Sequence, residues 1–239
     1  MGMGRFVFAL VAVALLVIAA GCENPDTNVK TEKTLTVNDV TVHYSGDVSM
    51  DQAKALINFV YNYFDITGKT DIYLEKASGR YKVGIVTPYN SPDEISGQVK
   101  FAITLAASRL SQEVFSGEPV TLQYLSPDKD VLISADGKYR YVENSKIYVW
   151  YSGVSQEEAQ KVLVYLVDFA GQGPWDVILE KSGSTYHVRA MSSFTTADEA
   201  NSAKDAYTEL VSGLEERLNG NVVLHVLDPN GNELTTFGP

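Results

Sequence analysis

The chain holds a single cysteine, Cys22, so no disulfide can form within it. Three histidines, His43, His187 and His225, are its whole imidazole supply, and none has a second metal ligand at helical or hairpin spacing. No H-E-x-x-H, C-x-x-C, G-x-S-x-G or Walker pattern occurs. Positive charge is scarce too: 19 Lys and Arg against 30 Asp and Glu give a formal net charge of −11. Such a surface does not attract nucleic-acid phosphates, or anionic lipid headgroups by charge. These shortages exclude the familiar metal and nucleophile chemistries and a nucleic-acid partner; no catalytic residue, metal or cofactor is expected. Gly171-Gln172-Gly173 lacks the third glycine and the preceding strand of a dinucleotide loop and reads as a linker. Asp228-Pro229-Asn230-Gly231-Asn232 carries its glycine two positions too early for a calcium loop and has no closing glutamate, so it reads as a hairpin turn.

What the chain does contain, it contains twice. Tyr44-Ser45-Gly46 returns as Tyr151-Ser152-Gly153, Leu74-Glu75-Lys76 as Leu179-Glu180-Lys181, and Tyr81 as Tyr186. A self-match at a fixed offset of about 105 residues identifies two copies of one domain. With 45% apolar and 21% charged residues, each copy is an ordinary globular sequence, long enough to bury a core of its own. The apolar frame is what the copies share: His43 aligns with Trp150, His187 with Lys82 and His225 with Gln123, so no shared polar constellation is expected.

Residues 1–21 form a processing segment. Arg5 supplies a positive start, and Phe6–Ala20 is an apolar run of fifteen residues, the length of a signal-peptide core and short for a membrane span. The run ends Ile18-Ala19-Ala20-Gly21-Cys22, which resembles the lipobox of bacterial lipoproteins. That resemblance implies cleavage after Gly21 and acylation of Cys22, whose several acyl chains would hold the protein at a membrane. Residues 22–34 are polar and without apolar period, a flexible tether. The folded part is then expected at 35–137 and 138–239, in the periplasm or outside the cell, anchored to the inner or outer membrane.

Within each copy the periodicity alternates between two and 3.6 residues. Val40, Val42 and Tyr44 mark a strand. Ala53, Leu56, Ile57 and Val60 mark a helix that Ser49 and Gln52 cap, and the Leu74 and Val83 strands turn at Ser78-Gly79. Ser91 and Glu94 predict the cap of a second helix, and Val120, Leu122 and Tyr124 a fourth strand. The second copy repeats the order, with Ser155/Glu158 and Thr196/Glu199 as caps and one helix from there to about Leu218. The βαββαβ order predicts an α+β fold: two tandem ferredoxin-like domains, each an antiparallel sheet covered on one face by two helices. The segment Val114-Phe115-Ser116-Gly117-Glu118-Pro119-Val120 also resembles a strand entry found in a repeat of uncharacterised bacterial membrane-associated proteins. In the second copy Leu218-Asn219-Gly220-Asn221-Val222 has lost the proline. The resemblance implies the repeat fold and no chemistry.

The functional expectation is a non-enzymatic binding or assembly module of the cell envelope. Its partner would be an envelope protein or, by analogy with SPOR domains of the same element order, peptidoglycan. A hydrolase with an unrecognised site is the third reading. One surface points to a partner. The outward strand positions of the second copy include Tyr148, Trp150, Ile178, Met191, Val223 and Leu227, too apolar for an open sheet face. Either another part of the chain covers this face, or it binds a partner around Trp150, with His187, Arg189 and His225 as the polar groups.

Overall fold

The computed structural model describes residues 32–64, 68–171 and 173–239. The processing segment, the Gly21–Cys22 cleavage site and nearly all of the tether lie outside the described residues. The first half contains β1 (Lys33–Val37), β2 (Val40–Ser45), α1 (Met50–Tyr63), β3 (Thr70–Ala77), β4 (Arg80–Val86), α2 (Gly97–Glu113), β5 (Val120–Leu125) and β6 (Val131–Asp136). The second contains β7 (Arg140–Asn144), β8 (Ile147–Ser152), α3 (Gln156–Ala170), β9 (Trp175–Ser182), β10 (Thr185–Met191), α4 (Ala197–Ser202), α5 (Lys204–Leu218), β11 (Asn221–Leu227) and β12 (Glu233–Phe237). Among the described helices none is long and apolar enough to cross a membrane.

Each half is an α+β unit built on a six-stranded mixed sheet whose strands lie in chain order, β1 to β6 and β7 to β12. In the first sheet β2 runs parallel to β3 and β4 to β5, and the other neighbours are antiparallel. The second sheet repeats this, with β8 parallel to β9 and β10 to β11. A helix that returns the chain to the end where the previous strand began leaves the next strand parallel to it. This corrects two features of the expected ferredoxin-like arrangement. The sheets are mixed rather than antiparallel, and the strands joined by a helix are direct neighbours instead of being split by an intervening strand. A hairpin strand at each end, β1 and β6 or β7 and β12, widens the four-stranded repeat.

Strand alternation places one face of each sheet under its helices. Val40, Val42, Tyr44, Ile72, Leu74, Val83 and Leu122 meet Ala53, Leu56, Ile57 and Val60 of α1 and Ile103, Ala107 and Leu110 of α2. The second half repeats this with Val149, Leu179, Val188 and Leu224 against Val162, Leu163 and Leu166 of α3 and Leu210, Val211 and Leu214 of α5. Ser49/Gln52, Ser155/Glu158 and Thr196/Glu199 form reciprocal capping boxes as their spacing predicts. Ser91 does not cap a helix: Pro92–Glu94 makes a single 3₁₀ turn, Ile95 is buried, and α2 starts behind Ser96, whose hydroxyl accepts from Val99 N. The last helix is likewise divided, at Ala203, into α4 and α5.

Helix α2 is buried on two sides. Beyond the first core, its Leu105 joins Tyr139, Trp150 and Ile178 in a separate cluster, with Phe101, Tyr141 and Tyr148 packed against it. The outward face of the second sheet therefore rests on α2, which explains why that face alone is apolar. At the matching positions of the first sheet stand Thr41, His43 and Tyr73 instead of Tyr148, Trp150 and Ile178. Close backbone approaches hold the helix at its start and near its middle. A Cβ on Gly97 would lie 1.9 Å from the Asn230 carbonyl oxygen in the β11–β12 turn, and one on Gly137 2.5 Å from that of Ala107. Glycine is the residue that admits such contacts.

Candidate functional site

Two polar arrangements lie where the halves meet. The first is closed. Arg109, on the outer side of α2, places its guanidinium 4.4 Å from the ring centre of Tyr63, 4.7 Å from Tyr148, 5.2 Å from Tyr141 and 5.7 Å from Trp150. These are cation–π distances, and the rings come from both halves. Glu113, one helical turn on, accepts hydrogen bonds from the hydroxyls of Tyr63 (3.0 Å) and Tyr141 (2.8 Å). Its Oε1 lies 2.9 Å from Arg109 Nε, an ion-pair distance but out of line for a hydrogen bond. Burial works against the Arg109 charge, and the bond to Tyr148 with the nearby Tyr63 and Glu113 reverses that, raising its pKa. Burial, followed by the bond to Glu113, pushes the Tyr141 hydroxyl up to about 12. The cage is filled by its own arginine and joins the two halves.

The second arrangement is open. A cleft of about 480 Å³ runs between α2 and the far side of the second sheet, lined by Phe101, Thr104, Lys138, Tyr139, Ile178, Glu180, Arg189, Leu227, Gly231 and Glu233. Glu180 is the hub of one wall. Its Oε1 accepts from Lys138 Nζ and the Tyr139 hydroxyl, both at 3.0 Å, and its Oε2 accepts from Arg189 Nη1. Burial pushes the Glu180 carboxyl up, but the bonds from Lys138, Arg189 and Tyr139 outweigh it and hold it at about 2. Since Lys138 and Tyr139 belong to the segment joining the halves, the hub also pins that segment to the second sheet.

Glu233, on the other wall, begins a chain of hydrogen bonds. His225 Nδ1 donates to its Oε2 at 2.5 Å, and His187 Nδ1 lies 3.0 Å from His225 Nε2. The carboxylate can only accept, so with both rings neutral His225 is the Nδ1–H tautomer and His187 donates to its Nε2. The ring centres are 5.3 Å apart, longer than the nitrogen separation by the two ring radii, so the nitrogens point straight at each other. A chelated ion would require both lone pairs to converge to one side. Among the described residues no group of three or more His, Cys, Asp or Glu is placed to hold a metal.

The structure thus separates the four expected binding residues. Arg189 and His225 face each other across β10 and β11, and His187 joins them through its bond to His225. Trp150 stands in the closed cage, 2% exposed, with its Nε1 donating to Asp176 Oδ1 at 2.6 Å. His43 is elsewhere, on the open face of the first sheet. It is stacked on Tyr73 between Glu32 and Asp71, at 3.0 and 2.9 Å. The Asp228 carboxylate is spent on the turn itself, accepting from Asn230 N and Asn232 N at 2.8 Å each.

Sequence reading missed Lys138, Tyr139, Glu233 and the role of Glu180, although Glu180 sits in the repeated Leu-Glu-Lys motif. It also missed that the copies share a polar constellation. In the first half Gln52 Nε2 donates to the Tyr81 hydroxyl at 2.6 Å, with Lys76 Nζ 4.6 Å above the ring. In the second, Tyr186 donates to Glu158, and Lys181 Nζ lies 2.7 Å from the hydroxyl and 4.2 Å from the ring centre. Tyr186, then the Ser155 backbone, hold the Glu158 carboxyl at about 2. Each set joins a β-hairpin to the start of a helix, and the offset alone would have found it: 52/158, 76/181 and 81/186.

Residues 34–137 match the AF_1994_N family N-terminal domain. An uncharacterised protein of Archaeoglobus fulgidus is 33% identical over 208 residues, covering 86% of this chain and 88% of its own. Among solved structures, a sex pheromone precursor from Lactobacillus salivarius subsp. salivarius aligns at TM-score 0.25 and 11% identity, over 71% of this chain and 63% of that one. The sex pheromone staph-cAM373 precursor aligns at TM-score 0.23 and 10% identity, over 79% and 92%. Structural likeness this low supports no inference.

Proposed function

This chain belongs to one family with the uncharacterised Archaeoglobus fulgidus protein, and on that premise we propose that it is an exported, lipid-anchored binding protein of the cell envelope. The observation that carries the binding reading is the cleft, where α2 of one half, the joining segment and the sheet of the other half converge around Glu180. An open cavity of this size with a few convergent charged groups over apolar walls is the ordinary form of a small-ligand site. The anchor rests on the apolar run that ends at Gly21-Cys22. Because the relative is archaeal, the proposal concerns a cell envelope without restriction to bacteria. The SPOR analogy rests on the βαββαβ element order alone, which these halves keep while their strands lie in chain order.

Labelled lipid should enter the wild type and not Cys22→Ser; equal labelling refutes the anchor. For the cleft, a thermal-shift screen of small polar compounds should find stabilisers whose effect disappears in Arg189→Glu. A screen that finds none refutes the site. A hydrolase is the second reading, favoured by the Glu233–His225–His187 chain, in which carboxylate and inner imidazole orient an outer one. Hydrolysis of ester or peptide substrates by the wild type, lost in His225→Ala, would favour it over binding.

A further inference from the structure

We propose that the cleft takes a short peptide of about three to four residues with both ends free, its carboxylate on Arg189 and Lys138 and its ammonium on Glu233. This inference rests on the binding reading and names the ligand class of that same site. The charges on its walls differ in sign. Lys138 and Arg189 share one carboxylate, Glu180, so that wall carries 2 − 1 = +1. Their side chains are 54% and 36% exposed and that of Glu180 is 23%, so the cations are more accessible than the carboxylate they share. Arg189 gives Nη1 to Glu180, and a guanidinium has five N–H donors, so a fork remains for an incoming carboxylate. Opposite, Glu233 is half exposed and spends Oε2 on His225, which leaves Oε1 and the negative charge for a cation.

Spacing selects the length. Arg189 on β10 pairs with His225 of β11, and Glu233 on β12 pairs with Leu227, so their Cα positions lie two strands apart and two residues along, about 12 Å. A single amino acid, with ammonium and carboxylate on one carbon, cannot bridge that gap. An extended peptide advances about 3.3 Å per residue and covers it in about three to four. Room agrees with reach: 480 Å³ is the space of about 16 waters at liquid density. Between the charged ends the cleft presents Phe101, Ile178 and Leu227, a surface for apolar side chains.

Calorimetric titration of the detergent-solubilised full chain with trileucine tests this, beside N-acetyl-trileucine and trileucine amide. Free trileucine should bind, and each blocked form should bind about tenfold more weakly, the loss of one charge-assisted contact. Arg189→Gln should shrink the difference between acid and amide and keep that between amine and acetyl; Glu233→Gln should do the reverse. Far-UV circular dichroism verifies that both variants fold. Equal binding of free and blocked peptides would overturn the proposal. Trileucine inert beside another compound whose binding needs Arg189 would overturn the peptide class and leave the binding site standing. No ligand at all would overturn both.

Discussion

Trp150→Ala puts the junction of the two halves to a direct test. The indole is 2% exposed, packed in a cluster with Leu105 of α2, Tyr139 and Ile178, and within cation–π reach of Arg109. Removing a large buried aromatic side chain costs about 3–5 kcal/mol, from lost burial and the cavity left behind. The cation–π contact adds about 1 kcal/mol when partly desolvated. Asp176 also loses its 2.6 Å donor but is exposed, so water replaces the indole at little cost. The expected loss is therefore about 4–6 kcal/mol. For a chain of this size that lowers Tm by about 8–24 °C. Urea unfolding followed by far-UV circular dichroism measures the loss. Trp175, 42% exposed and the one other tryptophan, supplies a fluorescence probe in the second half. Both signals should move together, because α2 packs against both sheets. A loss below about 1 kcal/mol, or one confined to a single phase of a two-phase transition, would refute the packing of α2 on the second sheet.

Leu74→Ala and Leu179→Ala, at matching buried positions of the two cores, should each cost about 2–5 kcal/mol and shift one common transition in calorimetry; two transitions moving separately would show independent halves. Gly97→Ala should destabilise by about 1–3 kcal/mol despite favouring helix, since its Cβ meets the Asn230 carbonyl; a more stable variant in urea would contradict the close approach. Glu180 has a folded pKa of about 2 against 4.5, so it contributes stability above about pH 4.5 that is lost as pH falls toward 2. After discounting for solvent screening this is about 1–2 kcal/mol, and denaturation curves across that window should flatten in Glu180→Gln.

Much of the architecture is local and was therefore legible. Duplication follows from an alignment of the chain with itself. The helices follow from apolar spacing and from Ser49/Gln52, Ser155/Glu158 and Thr196/Glu199, whose capping bonds close within three residues. The excess of apolar residues on the second sheet's outer face was also visible, because strand alternation is a property of the strand itself. Strand order was not legible. Whether two strands joined by a helix lie side by side or are split by a third depends on long-range pairing, which the same βαββαβ string permits either way. Nor could the string say that α2 covers Trp150, for the periodicity of one helix records its first core and not a second surface laid against its back. The cleft belongs wholly to tertiary structure. Lys138, Glu180, Arg189 and Glu233 are spread over 96 positions of sequence and become neighbours only when the joining segment folds back on the second sheet, because ion pairs and hydrogen bonds act over a few ångströms of space and carry no spacing along the chain.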